Sequence, residues 1–472
     1  HPILDPAAEK NAKVIAHGLP ASPGGAVGTI VFTNADAVKA AAAKKKVILV
    51  REETSPEDVE GMRAAAGILT QKGGMTSHAA LVARGWGKCC IVGCEDMKIN
   101  LEKKEVSFKG CDQVFHEGDV FSLNAAKGAV YATALDTMDA SDNPRFVKFM
   151  AIADKFRKLG VLTNADTPED TERALSFGAE GIGLFRIEHM FYGKNSETPL
   201  SKLRKMILSK TDEERRNALN ELEPFMKAAV KGTMKVMNGK PVTFRLLDPP
   251  LHEFVPQTHD KKEELANELH ISEADIDKRG EALHEINPMM GHRGVRLHVT
   301  YPMIAETQYR AIFTAAIELK KEGFDPHPEI MIPVTISERE LRFQKAICEK
   351  IRAEIEANLN EHIDYKFGTM IEIPRAAITS DRMARTAEFF SYGTNDLTQM
   401  TFGFSRDDVS TFMGDYLGNK ILDHDPFKVL DPKSVGKLVE YSVKIGRNTR
   451  PDLKCGICGE HGGEPSSVKL CH

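Results

Sequence analysis

The chain of 472 residues is longer than a single ordinary hydrophobic core requires, and it carries 63 basic and 68 acidic side chains. Domain-size statistics predict two or three domains for this length, or fewer if one of them is a large α/β barrel. The near balance of charge argues against nucleic acid or an anionic membrane as the main partner and favours a small molecule. No apolar run approaches the roughly 18 residues that cross a bilayer.

The start of the chain has neither an initiator Met nor the pattern of a signal peptide, so we expect a fragment of a soluble, intracellular protein. Its eight cysteines follow no regular framework of the kind that small secreted proteins use. This favours a reducing compartment.

Short apolar runs separated by glycine turns predict a compact α/β domain over residues 1–127. The expected strands are residues 28–32, 46–50, 67–70, 90–93 and 120–123. A polar stretch at residues 136–144 and an amphipathic helix at residues 146–156 follow, so residues 128–158 are predicted to be a linker.

A different sequence pattern begins after the linker. Short β-rich runs end in a polar residue, and each is followed by a helical pattern. Eight runs fit this description: residues 161–164, 183–186, 242–245, 294–297, 330–333, 370–372, 389–392 and 455–458. Strand and helix alternation with polar residues at the strand ends predicts a (β/α)₈ barrel over residues 159–472, with its site on that face. Charged helices at residues 199–231 and 261–285 would be insertions, and the barrel is expected to be truncated at its C-terminus.

A single histidine stands out in the first domain. Gly73 and Gly74 predict a turn, Thr76 and Ser77 are good helix caps, and the following Ala-rich run predicts a helix with His78 in its first turn. The positive end of a helix favours a neutral, nucleophilic imidazole and would stabilise a phosphoryl group bound to it. A lone histidine in this position is more often structural.

The whole string over residues 73–80 resembles the phosphohistidine signature of a family that includes pyruvate phosphate dikinase, phosphoenolpyruvate synthase and enzyme I of the sugar phosphotransferase system. Met75 and residues 86–90 resemble the dikinase branch of that family. The other branches typically carry Arg in place of Met75. The resemblance implies that His78 carries a phosphoryl group.

Three arginines and two acids form a second set, near the ends of the predicted barrel strands. Arg186, Arg245 and Arg293 supply cations suited to a phosphate and a carboxylate. Glu372 and Asp396 supply the hard oxygen ligands that Mg²⁺ prefers. Any one of these residues alone would more often be a surface charge.

The segments that hold these residues resemble successive active-site segments of the same family: residues 183–191, 245–254, 291–294, 371–375 and 393–399. The resemblance implies that the three arginines contact substrate phosphate and carboxylate and that Glu372 and Asp396 hold Mg²⁺. It further implies substrate contacts from Gly393, Thr394 and Asn395.

Cys455 and Cys458 have the Cys-x-x-Cys spacing of zinc and redox sites. Two further zinc ligands with suitable spacing are missing, and no thioredoxin-like context surrounds the pair. Residues 455–463 instead resemble the proton-donor segment of the family, which assigns the donor to Cys458, with Glu460 and His461 tuning it.

Membership of the dikinase branch would imply the reversible conversion of ATP, phosphate and pyruvate to AMP, pyrophosphate and phosphoenolpyruvate. This fragment would carry the step between phosphohistidine and pyruvate, and a missing domain would bind ATP. The resemblance also implies a homodimer formed through the barrel, regulatory phosphorylation of Thr76 by a kinase and phosphatase, and a location in the cytoplasm or in an organelle such as a chloroplast or glycosome.

Two other classes of function remain open, another enzyme of the same family and a protein without catalytic activity. The chain could belong to a phosphoenolpyruvate synthase or to an enzyme I, which would phosphorylate a carrier protein. It could also be a non-catalytic scaffold, whose sign would be loss of His78, Glu372, Asp396 or Cys458; all four are present.

Overall fold

The computed structural model describes residues 1–472, which divide into two compact units, His1–Arg157 and Lys158–His472. None of its helices combines the length and the apolar character that crossing a bilayer would take.

The first unit is built around one mixed sheet. Its strands are β1 Pro2–Leu4, β2 Val14–His17, β3 Leu19–Ser22, β4 Gly25–Val31, β5 Val47–Arg51, β6 Gly67–Thr70, β7 Cys89–Val92, β8 Met97–Asn100, β9 Glu105–Phe108, β10 Val114–His116, β11 Val120–Asn124, β12 Ala129–Tyr131 and β13 Thr137–Asp139. Its helices are α1 Pro6–Lys10, α2 Asn34–Ala42, α3 Val59–Ala64, α4 His78–Trp86 and α5 Pro144–Phe156.

Eight of these strands form the main sheet in the order β2-β12-β11-β4-β5-β6-β7-β3, with β4 to β7 parallel to one another. Both faces are covered, since Ile48 and Val50 pack in one apolar cluster and Val47 and Leu49 in another. This double burial explains the unbroken apolar run of β5. Residues 128–158, expected as a linker, begin with β12, which pairs with β2 and β11 before β13 and α5 follow.

The second unit alternates strand and helix as the sequence predicted. Its strands are β14 Thr163–Asn164, β15 Ile182–Arg186, β16 Pro241–Arg245, β17 His327–Ile332, β18 Lys366–Ile371, β19 Phe389–Tyr392 and β20 Lys454–Ile457. Its helices are α6 Pro168–Ser176, α7 Glu197–Ile207, α8 Asp212–Val236, α9 His259–Leu269, α10 Glu273–Leu283, α11 Val295–Thr300, α12 Pro302–Lys321, α13 Glu338–Leu359, α14 Pro374–Ile378, α15 Ser380–Met383, α16 Thr394–Phe402, α17 Ser410–Gly418, α18 Val435–Thr449 and α19 Pro465–Cys471.

All seven strands are parallel and pair in chain order from β14 to β20. The sheet curls until its first and last strands lie close together. The side chain of Asn164, at the end of β14, donates a hydrogen bond at 3.1 Å to the backbone carbonyl of Cys458, just after β20. Leu184, Met331 and Met370 pack together on the inner side, and the other side faces the helices across the largest apolar cluster. The result is the curled parallel sheet expected of an α/β barrel, with every strand C-terminus on one face.

The prediction of a strand at residues 294–297 is wrong. Gly294, with φ of +55°, precedes helix α11, whose Val295, Leu297 and His298 are buried. A run of four residues with alternating apolar positions fits either a strand or one helical turn, so periodicity could not separate them. The described sheet therefore has seven parallel strands rather than the eight expected.

Candidate active site

His78 is the first residue of helix α4. Ser77 caps the helix, and its side chain accepts a hydrogen bond from the backbone N–H of Ala80 at 3.4 Å. Gly73 has φ of +102°, and a Cβ there would lie 2.9 Å from the Ser77 side chain, so the turn before the cap needs a glycine. The unpaired N–H groups of the first helical turn make this position favourable for an anion.

Thr54 orients the His78 ring. Thr54 lies in the loop that follows β5, the strand next to β6. Its Oγ1 lies 3.0 Å from Nδ1 of His78. Because this hydrogen bond occupies Nδ1, the nitrogen left for chemistry is Nε2, which is nucleophilic when the ring proton resides on Nδ1 and is donated to Thr54. Sequence reasoning missed Thr54, which is 24 residues away.

Thr76, the expected regulatory residue, lies exposed in the turn just before the helix cap.

In the larger unit, a chain of alternating charges crosses the face formed by the strand C-termini. Arg245, the last residue of β16, donates through Nη2 to Glu188 Oε1 at 2.6 Å and lies 3.7 Å from Asp248 Oδ2. Arg293 donates through Nη2 to both oxygens of Asp248, at 3.0 and 2.9 Å, and reaches Asp396 Oδ2 at 3.5 Å. Arg293 lies in the loop before α11 rather than at a strand end. The two guanidinium groups are thereby held side by side across Asp248.

Arg186 ends strand β15 and belongs to the same face. Its Nη2 donates to Asp166 Oδ2 at 2.6 Å, and its backbone N–H donates to Asp166 Oδ1 at 2.9 Å. The side chain is 48% exposed, in contrast to the buried Arg293. Arg186 therefore remains accessible to a ligand while Asp166 fixes its direction.

Glu372 follows strand β18 and is almost completely buried. Its Oε1 accepts a hydrogen bond from the backbone N–H of Val334 at 2.6 Å. Burial raises the pKa of Glu372 well above its usual range, and the negative charges of Asp396 and Asp248 raise it further. Two acids this close together favour a cation between them.

Gly393, Thr394 and Asn395 begin helix α16 beside these acids. A Cβ at Gly393 would lie 2.8 Å from Met370 Sδ and 3.1 Å from Glu372 Oε2, so only glycine lets the backbone approach this closely. Thr394 is buried and its Oγ1 lies 2.7 Å from His461 Nδ1. Asn395 has a buried Oδ1 without a hydrogen-bond partner in the protein.

Cys458 and Cys455 face different environments. Cys458 packs with the inner cluster of Leu184, Met331, Met370 and Phe389, whereas Cys455 packs against the core between the sheet and the helices. Burial raises the pKa of the Cys458 thiol to about 11, and the charges of Arg245, Glu372 and Asp396 also act on it. Cys458 therefore shares the electrostatic environment of the acids and arginines as a protonated thiol at neutral pH.

Glu460 and His461, expected to tune Cys458, make their side-chain contacts elsewhere. Glu460 pairs with Arg406. His461 is buried between Thr394 Oγ1 and the carbonyl oxygen of Pro426, which lies 2.8 Å from Nε2. Both ring nitrogens of His461 are thus already occupied.

Comparison with known proteins decides the family. A family model described as the PEP-binding domain of PEP-utilising enzymes matches residues 141–472, and one described as their mobile domain matches residues 43–128. The chain belongs to the PEP-utilising enzymes.

Curated relatives of the chain include several pyruvate, phosphate dikinases. The pyruvate, phosphate dikinase of Clostridium symbiosum is 55% identical, over 100% of this chain and 54% of its own length. The chloroplastic pyruvate, phosphate dikinase 1 of Oryza sativa subsp. japonica is 51% identical, over 99% of this chain and 49% of its own length, and the pyruvate, phosphate dikinase 2 of Zea mays is 50% identical, over 99% and 53%. The chain spans about half the length of the curated relatives it matches.

The larger unit of this PEP-utilising enzyme has buried polar atoms with no partner in the protein. They include Arg245 Nε, Arg293 Nε, Glu188 Oε2 and Asn395 Oδ1. Buried polar groups are normally hydrogen-bonded, so a cluster of unpaired ones marks a place where a polar ligand completes the bonding. Sequence reasoning missed Glu188, Asp248 and Asp166, which hold the arginines, although Glu188 and Asp248 lie within the segments that carried the family resemblance.

The donors present fit a magnesium ion only in part. No group of three or more His, Cys, Asp and Glu side chains is arranged to hold a metal. Glu372 and Asp396 make a pair of carboxylates, and Mg²⁺ commonly binds one or two carboxylates together with substrate oxygens and water. The residues therefore suit a cation that arrives with a phosphorylated substrate.

Proposed function

We propose that this chain carries one half of the pyruvate, phosphate dikinase reaction, the reversible transfer of a phosphoryl group between His78 and pyruvate. The observation that carries the proposal is the pair of buried guanidinium groups, Arg245 and Arg293, each with an unpaired Nε, beside the acids Glu372 and Asp396. Phosphoenolpyruvate presents a phosphate, a carboxylate and an enol oxygen, which require fixed cations and a metal ion.

Arg186, Arg245 and Arg293 would bind the phosphate and carboxylate, and Gly393, Thr394 and Asn395 would add polar contacts. Asp166 and Asp248 orient these arginines through the ion pairs described above. A magnesium ion held by Glu372 and Asp396 would stabilise the negative charge of the enolate. The phosphoryl acceptor and the proton donor are side chains of the protein.

In the direction that forms pyruvate, Nε2 of His78 attacks phosphorus, the P–N bond forms, and the bond from phosphorus to the enol oxygen breaks. The electron pair remains on the enolate, whose methylene carbon then takes a proton from the thiol of Cys458. Solvent returns a proton to the thiolate. Every step reverses when phosphoenolpyruvate is made.

His78 and these side chains belong to different units, so the proposal requires that the unit carrying His78 reach the barrel site during turnover. In the whole protein, a nucleotide-binding domain would load His78 from ATP and phosphate. Magnesium dependence, a homodimer formed through the barrel, and control by phosphorylation of Thr76 are further parts of this proposal.

A pyruvate burst tests the half-reaction. With phosphoenolpyruvate and Mg²⁺, the chain should release about one equivalent of pyruvate, measured with lactate dehydrogenase, because His78 can accept one phosphoryl group. Glu372→Ala should abolish the burst, and the exposed Glu102→Ala should not. ATP should yield none. Absence of a burst from folded protein would contradict the proposal.

The full-length protein separates this function from that of a phosphoenolpyruvate synthase. A dikinase releases pyrophosphate for each phosphoenolpyruvate formed, whereas a synthase releases inorganic phosphate. Release of phosphate alone from ATP would exclude the dikinase reaction and leave the half-reaction of this chain unchanged.

A further inference from the structure

Val334 has an unusual backbone conformation at the centre of the site. It lies two residues after β17 with φ of +61°, and of the seven non-glycine residues with positive φ in the chain it alone is β-branched. A β-branched side chain strongly disfavours this region, because its Cβ substituents clash with the backbone. Strain of this kind persists only where the surroundings impose it, and it is concentrated at functional sites.

The surroundings of Val334 impose the conformation from two directions. The carbonyl of Pro333 accepts a hydrogen bond from the backbone N–H of Val295 at 3.1 Å, which fixes the preceding peptide. The side chain is buried against Gly294, where any Cβ would lie 2.7 Å from Val334 Cγ2. Gly294 directly follows Arg293, so Val334 also touches the loop that carries a substrate arginine.

The strained conformation serves the buried carboxylate. It directs the backbone N–H of Val334 to Oε1 of Glu372 at 2.6 Å. Glu372 Oε2 lies on the other side, near Gly393. A residue with ordinary negative φ would rotate this N–H away and leave Oε1 without its donor.

We infer that Val334 is a positioning residue for Glu372: its backbone N–H holds Oε1 so that Oε2 and Asp396 face the cation that accompanies the substrate. This inference rests on the proposed function, since it assumes that Glu372 binds that cation. The amide is the active part, and the side chain acts through packing only. Second-layer hydrogen bonds of this type change metal affinity about 10- to 100-fold.

Replacing the amide by an ester isolates the N–H. Incorporation of 2-hydroxyisovaleric acid at position 334 keeps the valine side chain and removes the donor, while the Pro333 carbonyl that accepts from Val295 N–H becomes the weaker acceptor of an ester. Binding of Mn²⁺ in the presence of phosphoenolpyruvate is then followed by electron paramagnetic resonance, in the His78→Ala background, which prevents transfer. We expect binding about 10- to 100-fold weaker.

Two controls fix the interpretation. An ester at Ile336 also removes an N–H that donates to a glutamate, Glu340 Oε1 at 2.6 Å, but in the first turn of α13. Val334→Gly keeps the N–H and tolerates positive φ without strain. Both should bind Mn²⁺ within about threefold of the parent, because neither removes the donor to Glu372.

Unchanged binding with the ester at position 334 would overturn the inference. Equal weakening by Val334→Gly would also overturn it, because the side chain would then be responsible. Glu372→Gln tests the assumption beneath it: if that variant binds Mn²⁺ as tightly as the parent, the proposed role of Glu372 fails, whatever the ester does.

Discussion

At the scale of single residues, the two cysteines near the end of β20 differ most clearly in what surrounds them. Cys458 lies among the inner side chains and is influenced by Arg245, Glu372 and Asp396, whereas Cys455 contacts the helix-side core. We expect Cys458→Ala to lower the exchange of pyruvate methyl protons in deuterated water by about 10²- to 10⁴-fold, the contribution of a general acid. Proton NMR measures this exchange.

The same Cys458→Ala variant should still transfer phosphate from phosphoenolpyruvate to His78, since that step needs no thiol. Cys455→Ala should retain both activities. If Cys455→Ala abolished exchange and Cys458→Ala did not, the proton donor would be Cys455, and its assignment to Cys458 would be wrong.

Thr54 offers a second test at this scale, because it makes a hydrogen bond to Nδ1 of His78. Thr54→Val keeps the shape and removes the hydroxyl, so the ring loses its preferred tautomer and orientation. A neutral hydrogen bond contributes about 1 kcal/mol, which corresponds to roughly a fivefold slower phosphorylation of His78 in rapid-quench measurements. Thr54→Ser should restore the rate, and a failure to do so would point to packing instead.

The sequence predicted these site residues unevenly. His78, Glu372, Asp396 and Cys458 stood in segments that carry a family resemblance, so they could be named. The contact of Thr54 could not be foreseen, because it depends on two loops meeting at neighbouring strand ends. The positive φ of Val334 left no sign either, since valine is the least expected residue for it.

At the scale of elements, helix α4 places His78 in its first turn, at its positive end. Thr76 is exposed in the turn before the Ser77 cap. A negative charge there would compete for the helix N-terminus and repel an incoming phosphoryl group. We expect Thr76→Glu to slow phosphorylation of His78 roughly tenfold, since like charges about 4 Å apart repel by about 1 to 4 kcal/mol near a protein surface, and we expect Thr76→Gln to be much less affected. A normal rate in Thr76→Glu would refute the electrostatic argument.

Helix α11 contributes a buried polar network beneath the arginine loop. The Nδ1–H of His298 donates to the carbonyl of Gly294 at 2.7 Å, and its Nε2 lies 2.8 Å from Nε2 of Gln308, which is the donor of that pair. Gln308 Oε1 in turn accepts from the backbone N–H of Leu247 at 2.7 Å. The network therefore ties the residue after Arg293 to the residue before Asp248.

Burial lowers the pKa of His298 to about 4, which makes a prediction about pH. Between about pH 6.5 and 4 the unfolded chain binds a proton that folded His298 refuses, so stability falls as the pH drops, by up to about 1.4 kcal/mol per pH unit. His298→Asn should reduce the loss in urea midpoint between pH 7 and pH 5. His17→Asn, at an exposed position, should show the same loss in urea midpoint as the parent protein. If His298→Asn also lost as much as the parent, His298 would not be the source of the pH dependence.

Element prediction succeeded where the apolar runs were covered on both faces, as in β5 and β19, and it found only the end of β18, whose first residues include Lys366 and Gly368. It failed at residues 294–297, where a single helical turn and a short strand bury the same alternate side chains. The charged segments at residues 199–231 and 261–285, which were expected to be helical insertions, form helices α7 to α10. Residues 128–158, which were expected to be a linker, begin with strand β12. A strand of three residues is too short to show a periodic pattern in the sequence.

At the scale of the whole molecule, the proposed nucleophile His78 lies in one compact unit and the charged site lies in the other. The proposal holds that the phosphoryl group moves between them on His78. Neither unit contains all the groups that the proposed half-reaction needs, so His78→Ala in one unit or Glu372→Ala in the other should abolish transfer while leaving the other unit folded.

Transfer of label from ³²P-phosphoenolpyruvate to His78 measures this claim most directly. In the presence of Mg²⁺ the chain should acquire label that is labile to acid and stable to base, that is absent from His78→Ala, and that added pyruvate removes as labelled phosphoenolpyruvate. Circular dichroism of each variant controls for folding. Label on another residue, or label that pyruvate cannot remove, would contradict the account.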